Sequence, residues 1–447
     1  MTETLAGKLA AYGETDMYPL HMPGHKRRVI PEELETVCRM DITEIEGFDN
    51  LHDARGVIRE AQEYAARLYG SSETAFLVNG SSGGLLAAIL SVCRPGSGIL
   101  LSRGCHKAVY HALEIGNLFP RYLYPYINRK YGILEGISGE DVRKALSGSG
   151  ECPDPGRSSG ESLCSSADDQ IRAVVITSPT FDGVVSDIQG ICAAAHAKGI
   201  PVIVDEAHGA HLRFSSAFPQ SALDAGADIV VQSCHKTLPA LTQSSLLHVN
   251  GDLVDRNRLH KMLGVFQTSS PSYLLMGSID GCMHLLEEEG KQLFESYVSR
   301  LETLRRGLKE MQYLHLFAPE DLEYPGSCGY DPSKLVISCR GTGKSGDWLY
   351  RLLLEKYRIQ LEMESSDYVL GITTVGDDAE GLSRVREAFL AADRAVGADI
   401  VKTGKDRKVY RAEASEDTLG LQGCYNGKKF PMLPVLKAAL PIGEASW

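Results

Sequence analysis

Val231-Gln232-Ser233-Cys234-His235-Lys236-Thr237-Leu238 ends an apolar run on a lysine set among small hydroxyl residues. Ile203-Val204-Asp205-Glu206-Ala207-His208-Gly209-Ala210-His211 ends another on an acid. Outward from these two, β-rich runs recur at 74–79, 98–102, 171–177, 200–205, 228–233 and 245–249, with helical patterns such as 83–93 and 187–198 between them. Alternation of this kind across 56–285 predicts an α/β domain with a mostly parallel central sheet and helices on both faces. In such sheets ligands collect at the carboxyl ends of the strands, so chemistry is expected just after each run.

Three run ends carry suitable groups. Phe76-Leu77-Val78-Asn79-Gly80-Ser81-Ser82-Gly83-Gly84 leads from a strand into a helix. Free backbone N–H groups, hydroxyls and the positive end of a helix dipole make such a turn a phosphate cradle, though a tight turn accounts for the same residues. Asp205 sits where a buried acid is costly unless it meets a cation, with a helix N-cap as the plainer reading. Lys236, flanked by Ser233, His235 and Thr237, is placed for a desolvated, nucleophilic amine, although an exposed lysine is commonplace. Taken together, the three are the groups that a pyridoxal-phosphate (PLP) site requires: a phosphate anchor, a counter-charge for the ring nitrogen and an amine for the aldehyde.

The chain of 447 residues, 43% hydrophobic, is long enough for more than one core. Its 46 basic and 58 acidic groups leave a net charge of -12, which argues against nucleic acid or an anionic membrane surface as the main partner. Eleven scattered cysteines without a Cys-x-x-Cys pair, and no apolar run of signal-peptide or transmembrane length, predict a cytoplasmic protein with reduced thiols. An arm at 1–55 is expected to precede a PLP-binding large domain at 56–285. Phe294, Tyr297, Leu301, Leu304, Leu308 and Met311 recur at three- and four-residue steps and predict the packed face of a long helix. A smaller α/β domain follows at 286–398, with strand-like runs at 334–338 and 368–373 and a helix between, and then a more polar segment at 399–447. The Gly/Ser/Pro-rich stretch around 147–170 reads as a surface loop or insertion.

Two other patterns compete. Asp205-Glu206-Ala207-His208 spells a helicase-type acidic box, and Ser338-Cys339-Arg340-Gly341-Thr342-Gly343-Lys344-Ser345 approaches a Walker A loop. Against a nucleotide-driven motor stand Ser338 in place of the first glycine, a loop that follows the acidic box, and the acidic chain. His208 and His211 beside Asp205 suggest a metal, but a spacing of three across Gly209, with no cysteine cluster, does not match the helical zinc motif; no metal is expected.

The chain resembles the short bacterial Orn/Lys/Arg decarboxylases, fold-type-I PLP enzymes, from about residue 18 to 286 and more loosely to about 395. The resemblance rests on Pro19-Leu20-His21-Met22-Pro23-Gly24-His25-Lys26, Asp41-Ile42-Thr43-Glu44, Asn50-Leu51-His52, Cys105-His106-Lys107, Ser178-Pro179-Thr180-Phe181-Asp182-Gly183, Ala240-Leu241-Thr242-Gln243 and Gln267-Thr268-Ser269-Ser270-Pro271-Ser272-Tyr273, besides the three motifs above. It implies that Lys236 carries PLP as a Schiff base, Asp205 keeps the pyridine nitrogen protonated and His106 stacks on the ring. Ser81, Ser82, Ser233 and His235 would hold the phosphate, His208 would lie beside the ring and Thr180 would approach its oxygen edge. Thr268 and Ser269 would complete the site of a neighbouring subunit in a homodimer or higher homo-oligomer.

The implied reaction is decarboxylation of lysine, arginine or ornithine in polyamine and amino-acid metabolism. An aminotransferase or other PLP lyase, and a PLP-binding regulatory or scaffolding protein, are the alternatives. Phe181 stands where the family pattern has tyrosine, and the sequence stops at Trp447 without the family's Tyr-Pro-Pro-Gly segment. The acids Asp41, Glu44, Glu46, Asp49 and Asp53 are placed to receive a substrate's distal cation, or to form a solvated acidic face.

Overall fold

In the computed structural model, residues 4–147 and 170–403 are described. The stretch at 148–169 and the chain beyond 403, on which the expected insertion and shortened C-terminal segment fall, lie outside the described residues. Strands β1 (Glu73–Leu77), β2 (Gly98–Ser102), β3 (Phe119–Leu123), β4 (Ile171–Thr177), β5 (Val184–Ser186), β6 (Val202–Asp205), β7 (Ile229–Ser233) and β8 (Ser245–Val249) come first along the chain. All but β5 form a seven-stranded sheet in the order β1-β8-β7-β6-β4-β2-β3. Pairing is parallel from β7 through to β3, and β8 runs against both β7 and β1.

Alternate residues of these strands feed two different cores, which is why the strands read as continuous apolar runs. Val174, Ile176, Val202, Val204 and Val230 face one core, while Ala173, Val175, Ile203, Ile229 and Val231 face the other. Helices α1 (Leu5–Gly13) and α2 (Glu35–Arg39) belong to the arm, followed by α3 (Val57–Tyr69), α4 (Gly80–Val92), α5 (Lys107–Gly116), α6 (Gly139–Ser147), α7 (Ile188–His196), α8 (Cys234–Thr237) and α9 (Arg256–Phe266). α4, α5 and α9 pack on the second core, and α3, α6 and α7 on the first. All six runs expected from sequence are strands. β3 escaped that reading because it is an edge strand with only Leu123 buried and is interrupted by Pro120, as edge strands tolerate.

α10 (Tyr273–Leu308) is a single helix of 36 residues. The expected boundary at 285/286 falls within it, so one helix serves both parts of the molecule. Phe294, Tyr297, Leu301, Leu304 and Leu308 are buried along its length as expected, and Met311 is buried just beyond its end. Next come β9 (His315–Leu316), β10 (Ser327–Tyr330), β11 (Lys334–Ser338), α11 (Gly346–Tyr357), β12 (Met363–Glu364), β13 (Tyr368–Ile372) and α12 (Ala379–Thr403). A second, antiparallel sheet has the order β12-β13-β11-β9, and β10 pairs with β5. That β5–β10 ribbon latches the second sheet to the loop after β4, a placement that the site exploits. Among the described residues no helix is long and apolar enough to cross a membrane.

Candidate active site

The register of the main sheet aligns its chemistry. Thr177 pairs with Asp205 and Asp205 with Val231, while Ser233 and Leu77 both pair with Ser245. One sheet edge therefore carries, in spatial order, the β1–α4 turn, the β7–α8 turn with Lys236, Asp205 at the end of β6, the loop after β4 with Thr180, and the β2–α5 turn with His106.

The β1–α4 turn is held by two glutamines. Gln267 Oε1 accepts from Val78 N (2.8 Å), and Gln243 Nε2 donates to Val78 O (2.6 Å). With the backbone of Val78 satisfied from both sides, the chain turns through Gly80 at φ +69° into α4. Gly84 lets that helix lie on the sheet, since a Cβ there would come within 2.4 Å of Leu77 and 3.1 Å of Val231. Asn79 gives α4 no side-chain cap. The first N–H groups of the helix, with the accessible hydroxyls of Ser81 and Ser82, thus suit a phosphate.

Asp205 is buried, and its Oδ1 accepts from Ala207 N at 3.2 Å. Burial raises its pKa, against the pull of that N–H and of the Lys236 charge. A carboxylate so placed is best relieved by a cation, the role a pyridinium fills. Burial likewise holds the Lys236 amine below its ordinary range, opposed by Asp205 and Glu362. Lys236 Nζ lies 3.1 Å from His208 Nε2. Burial and then the charges of Lys334 and Lys236 keep His208 well below its ordinary pKa, which favours the neutral ring. Exposed Phe181 packs its edge against the same imidazole, with ring centroids 5.1 Å apart.

The remaining expected residues fall as follows. His106 is at the N-cap of α5, where Nδ1 accepts from Ala108 N (3.2 Å), and desolvation of its ring and then the Lys236 charge lower its pKa. Thr180 Oγ1 accepts from Val184 N (3.0 Å), which leaves its proton free to donate. His235 Nδ1 donates to Ser244 O (2.9 Å), so its Nε2 serves a phosphate only when protonated. Thr177, Ser233, Thr237 and Ser245 each bury a hydroxyl with no hydrogen-bond partner among the described residues. Ser233, which ends β7 and pairs with Ser245, has the unmet hydroxyl that suits a phosphate-bearing group beside Lys236. Thr268 and Ser269 are exposed, and among the described residues no hydrogen bond joins them to Lys236, Asp205 or His208.

Sequence reading missed Gln243 and Gln267 as clamps and missed Lys334 altogether. Lys334 opens β11, is fully buried, and places Nζ 3.0 Å from His208 Nδ1. The competing patterns separate in space. Glu206 turns away from Asp205 to accept from Ser221 Oγ, Ala222 N and Gln232 Nε2, and burial pushes it up to about 7. Among the arm acids, Asp49 caps the backbone N–H groups of Asn50, Arg55, Gly56 and Ile58. Asp53 pairs with Arg55 and Asp41 lies 3.4 Å from His25, so these three are structurally engaged.

An α/β sheet bearing a lysine, an acid and a phosphate-ready helix terminus on its carboxyl edge has the fold of a fold-type-I PLP enzyme. A sequence model described as Orn/Lys/Arg decarboxylase, major domain, matches residues 4–350, and the chain belongs to that family. It is 34% identical over 375 residues to the arginine decarboxylase of Bacillus subtilis (strain 168), covering 83% of this chain and 73% of that protein. The solved lysine decarboxylase of Francisella novicida superposes with a TM-score of 0.75 at 20% identity, over 92% of this chain and 63% of that one. A Sphingomonas wittichii serine palmitoyltransferase gives a TM-score of 0.57 at 16% identity, over 79% of this chain and 82% of that one. These two likenesses speak for the fold. Family and fold together support PLP as the cofactor and amino-acid decarboxylation as the reaction.

Proposed function

We propose that this chain decarboxylates a basic amino acid, arginine first among the three, with PLP bonded to Lys236 in a cytoplasmic homodimer. The observation that carries the reading is the convergence of Lys236, Asp205 and the uncapped α4 terminus on one sheet edge, in a chain of this family. Arginine takes precedence because the 34%-identical relative bears that name. A second copy is supported by the arm, whose Leu20 (88%) and Val29 (83%) are largely exposed. It would bring Thr268 and Ser269 to its partner's site. The eight described cysteines are unpaired and mostly buried, in keeping with a reducing compartment.

Bound PLP supplies the electron sink into which the Cα–carboxylate bond breaks. The chain's own groups do the rest. Ser81, Ser82, Ser233 and the α4 N–H groups would fix the phosphate, and Asp205 would hold the ring nitrogen's proton. His106 would cover one ring face and Thr180 would donate at the ring's oxygen edge. His208 Nε2, 3.1 Å from Lys236 Nζ, is placed to give or take the proton of that amine. A transaminase needs an arginine to clamp the substrate carboxylate. Arg340 is unavailable for this, since its Nε faces Asp367 (3.3 Å) and its Nη1 donates to Arg129 O (2.8 Å). An unclamped carboxylate in apolar surroundings favours its own loss, because the departing charge is poorly solvated.

Single-turnover product analysis with arginine, lysine and ornithine tests the reading. Carbon dioxide and the matching amine are expected, fastest from arginine. Oxo-acid with stoichiometric pyridoxamine phosphate would make the chain a transaminase, and binding without turnover would make it a regulatory or scaffolding protein.

A further inference from the structure

Lys334 comes into the site from the second sheet. Tyr330 at the end of β10 pairs with Val184, and Asp331 N donates to Gly183 O (2.8 Å), which seats the 331–334 turn against the loop after β4. Gly183 makes room for it: with φ +105°, a Cβ there would meet Lys334 Cγ at 2.7 Å. The lysine stem passes over this glycine and its amine ends on His208 Nδ1, opposite the Lys236 amine on Nε2.

That geometry carries a constraint. A neutral imidazole has one N–H and one lone pair, and an ammonium can only donate. With both contacts kept, the amine that meets the ring N–H must be neutral to accept, and the amine that meets the lone pair donates, so the two can share at most one extra proton. We propose that Lys334 is a positioning residue for Lys236, taking up through His208 the proton that Lys236 Nζ must lose before it can bond a carbonyl carbon. In that transfer Lys236 Nζ gives a proton to His208 Nε2 while Nδ1 gives its own to Lys334 Nζ. The ring changes tautomer, and one proton has moved from one amine to the other. The inference rests on Lys236 as the cofactor lysine.

The surroundings suit a shared proton. Asp331, Asp182 and Glu362 face Lys334 and favour its charged form, while burial and Lys236 oppose it, leaving it at about 8. Asp205 and Glu362 do the same for Lys236, and His106 and His211 are the other bases near the imidazole. Asp331 Oδ1 lies 3.3 Å from His211 Nε2, whereas its buried Oδ2 has no hydrogen-bond partner among the described residues. Asp182 accepts from Tyr368 Oη (2.9 Å), and Arg305 caps the Lys334 carbonyl rather than its amine. Two amines with carboxylates at either end thus flank one imidazole, and groups so close titrate as a unit rather than singly.

The test is the pH profile of PLP uptake by the full chain freed of cofactor, with the adduct mapped after borohydride reduction. Lys334→Met removes the receiving amine and keeps its length. Its profile is expected to shift alkaline by about one unit, making uptake roughly tenfold slower at neutral pH, with the adduct still on Lys236. Slower uptake with an unmoved profile would show a merely structural residue and overturn the inference alone. Unsubstituted chain that forms its adduct elsewhere, or none, overturns the proposed function and this inference with it. Should Lys334→Met not fold, 15N spectra of the histidine-labelled unsubstituted chain decide, with His208 assigned through His208→Gln. An uncharged His208 ring from about pH 6 to about pH 8 supports the relay, and an imidazolium there overturns it.

Discussion

Two strand-to-helix turns in this protein are built from glycine and hydroxyl residues: Asn79-Gly80-Ser81-Ser82-Gly83-Gly84 between β1 and α4, and Cys339-Arg340-Gly341-Thr342-Gly343-Lys344-Ser345 between β11 and α11. The β11–α11 turn is closer in composition to a phosphate loop, yet it offers less to a phosphate. Ser345 caps α11 by accepting from Trp348 N, and Thr342 Oγ1 donates to Cys339 O (2.6 Å) while accepting from Lys344 N. Lys344 Nζ is tied to Asp399 at 2.7 Å. These side chains, the ones suited to meet an anion, are already engaged. In the β1–α4 turn the glutamines satisfy Val78, no side chain caps the helix, and buried hydroxyls nearby lack partners among the described residues. Binding capacity follows from unmet hydrogen-bonding valence rather than from composition.

Substitutions can break this contrast. The largest effect is expected at Lys236, beside the β1–α4 turn: Lys236→Ala should cost roughly a thousandfold or more in carbon dioxide release, and borohydride should then leave no adduct in this segment. Asp205→Asn comes next, with turnover down about a hundredfold and the Lys236 adduct retained. Wild-type turnover in that variant would remove Asp205 from its role. Ser82→Ala should weaken PLP affinity about tenfold, as measured by fluorescence titration, through loss of one hydrogen bond to a charged group. Smallest of all, Lys344→Ala should leave PLP affinity within about twofold and stability within about 1 kcal/mol by urea unfolding, because a partly exposed ion pair contributes little. Loss of PLP from the Lys344 variant would reverse the comparison.

Much of this was legible in the sequence for one physical reason. Strands buried on both faces must be apolar throughout, so β1, β2, β4, β6, β7 and β8 announce themselves, and polar residues ending such strands stand out. Asp205 and Lys236 were visible in this way, and so was the β1–α4 turn. Lys334 was not, because a lysine opening a strand reads as a solvated end, and its partner His208 lies 126 residues away in the turn after β6. Gln243 and Gln267 were hidden similarly: each is an ordinary polar loop residue until Val78 is placed between them. β3 was hidden because it lies at the end of the sheet, where only Leu123 of its five residues is buried.

The long helix has a consequence for how the molecule comes apart. α10 contributes Phe294 and Tyr297 to the core beneath the main sheet, and Leu304 and Leu308 to the core of the second sheet. At 36 residues it spans about 54 Å as one hydrogen-bonded ladder. Were either sheet to loosen alone, half of this helix would lose the packing of its apolar face while the other half kept it, and that packing supplies most of a helix's stability in a protein. The two halves are therefore tied into one cooperative unit. Amide protons midway along α10 should exchange with solvent only as slowly as whole-molecule opening permits, and calorimetry should show both sheets lost under a single endotherm.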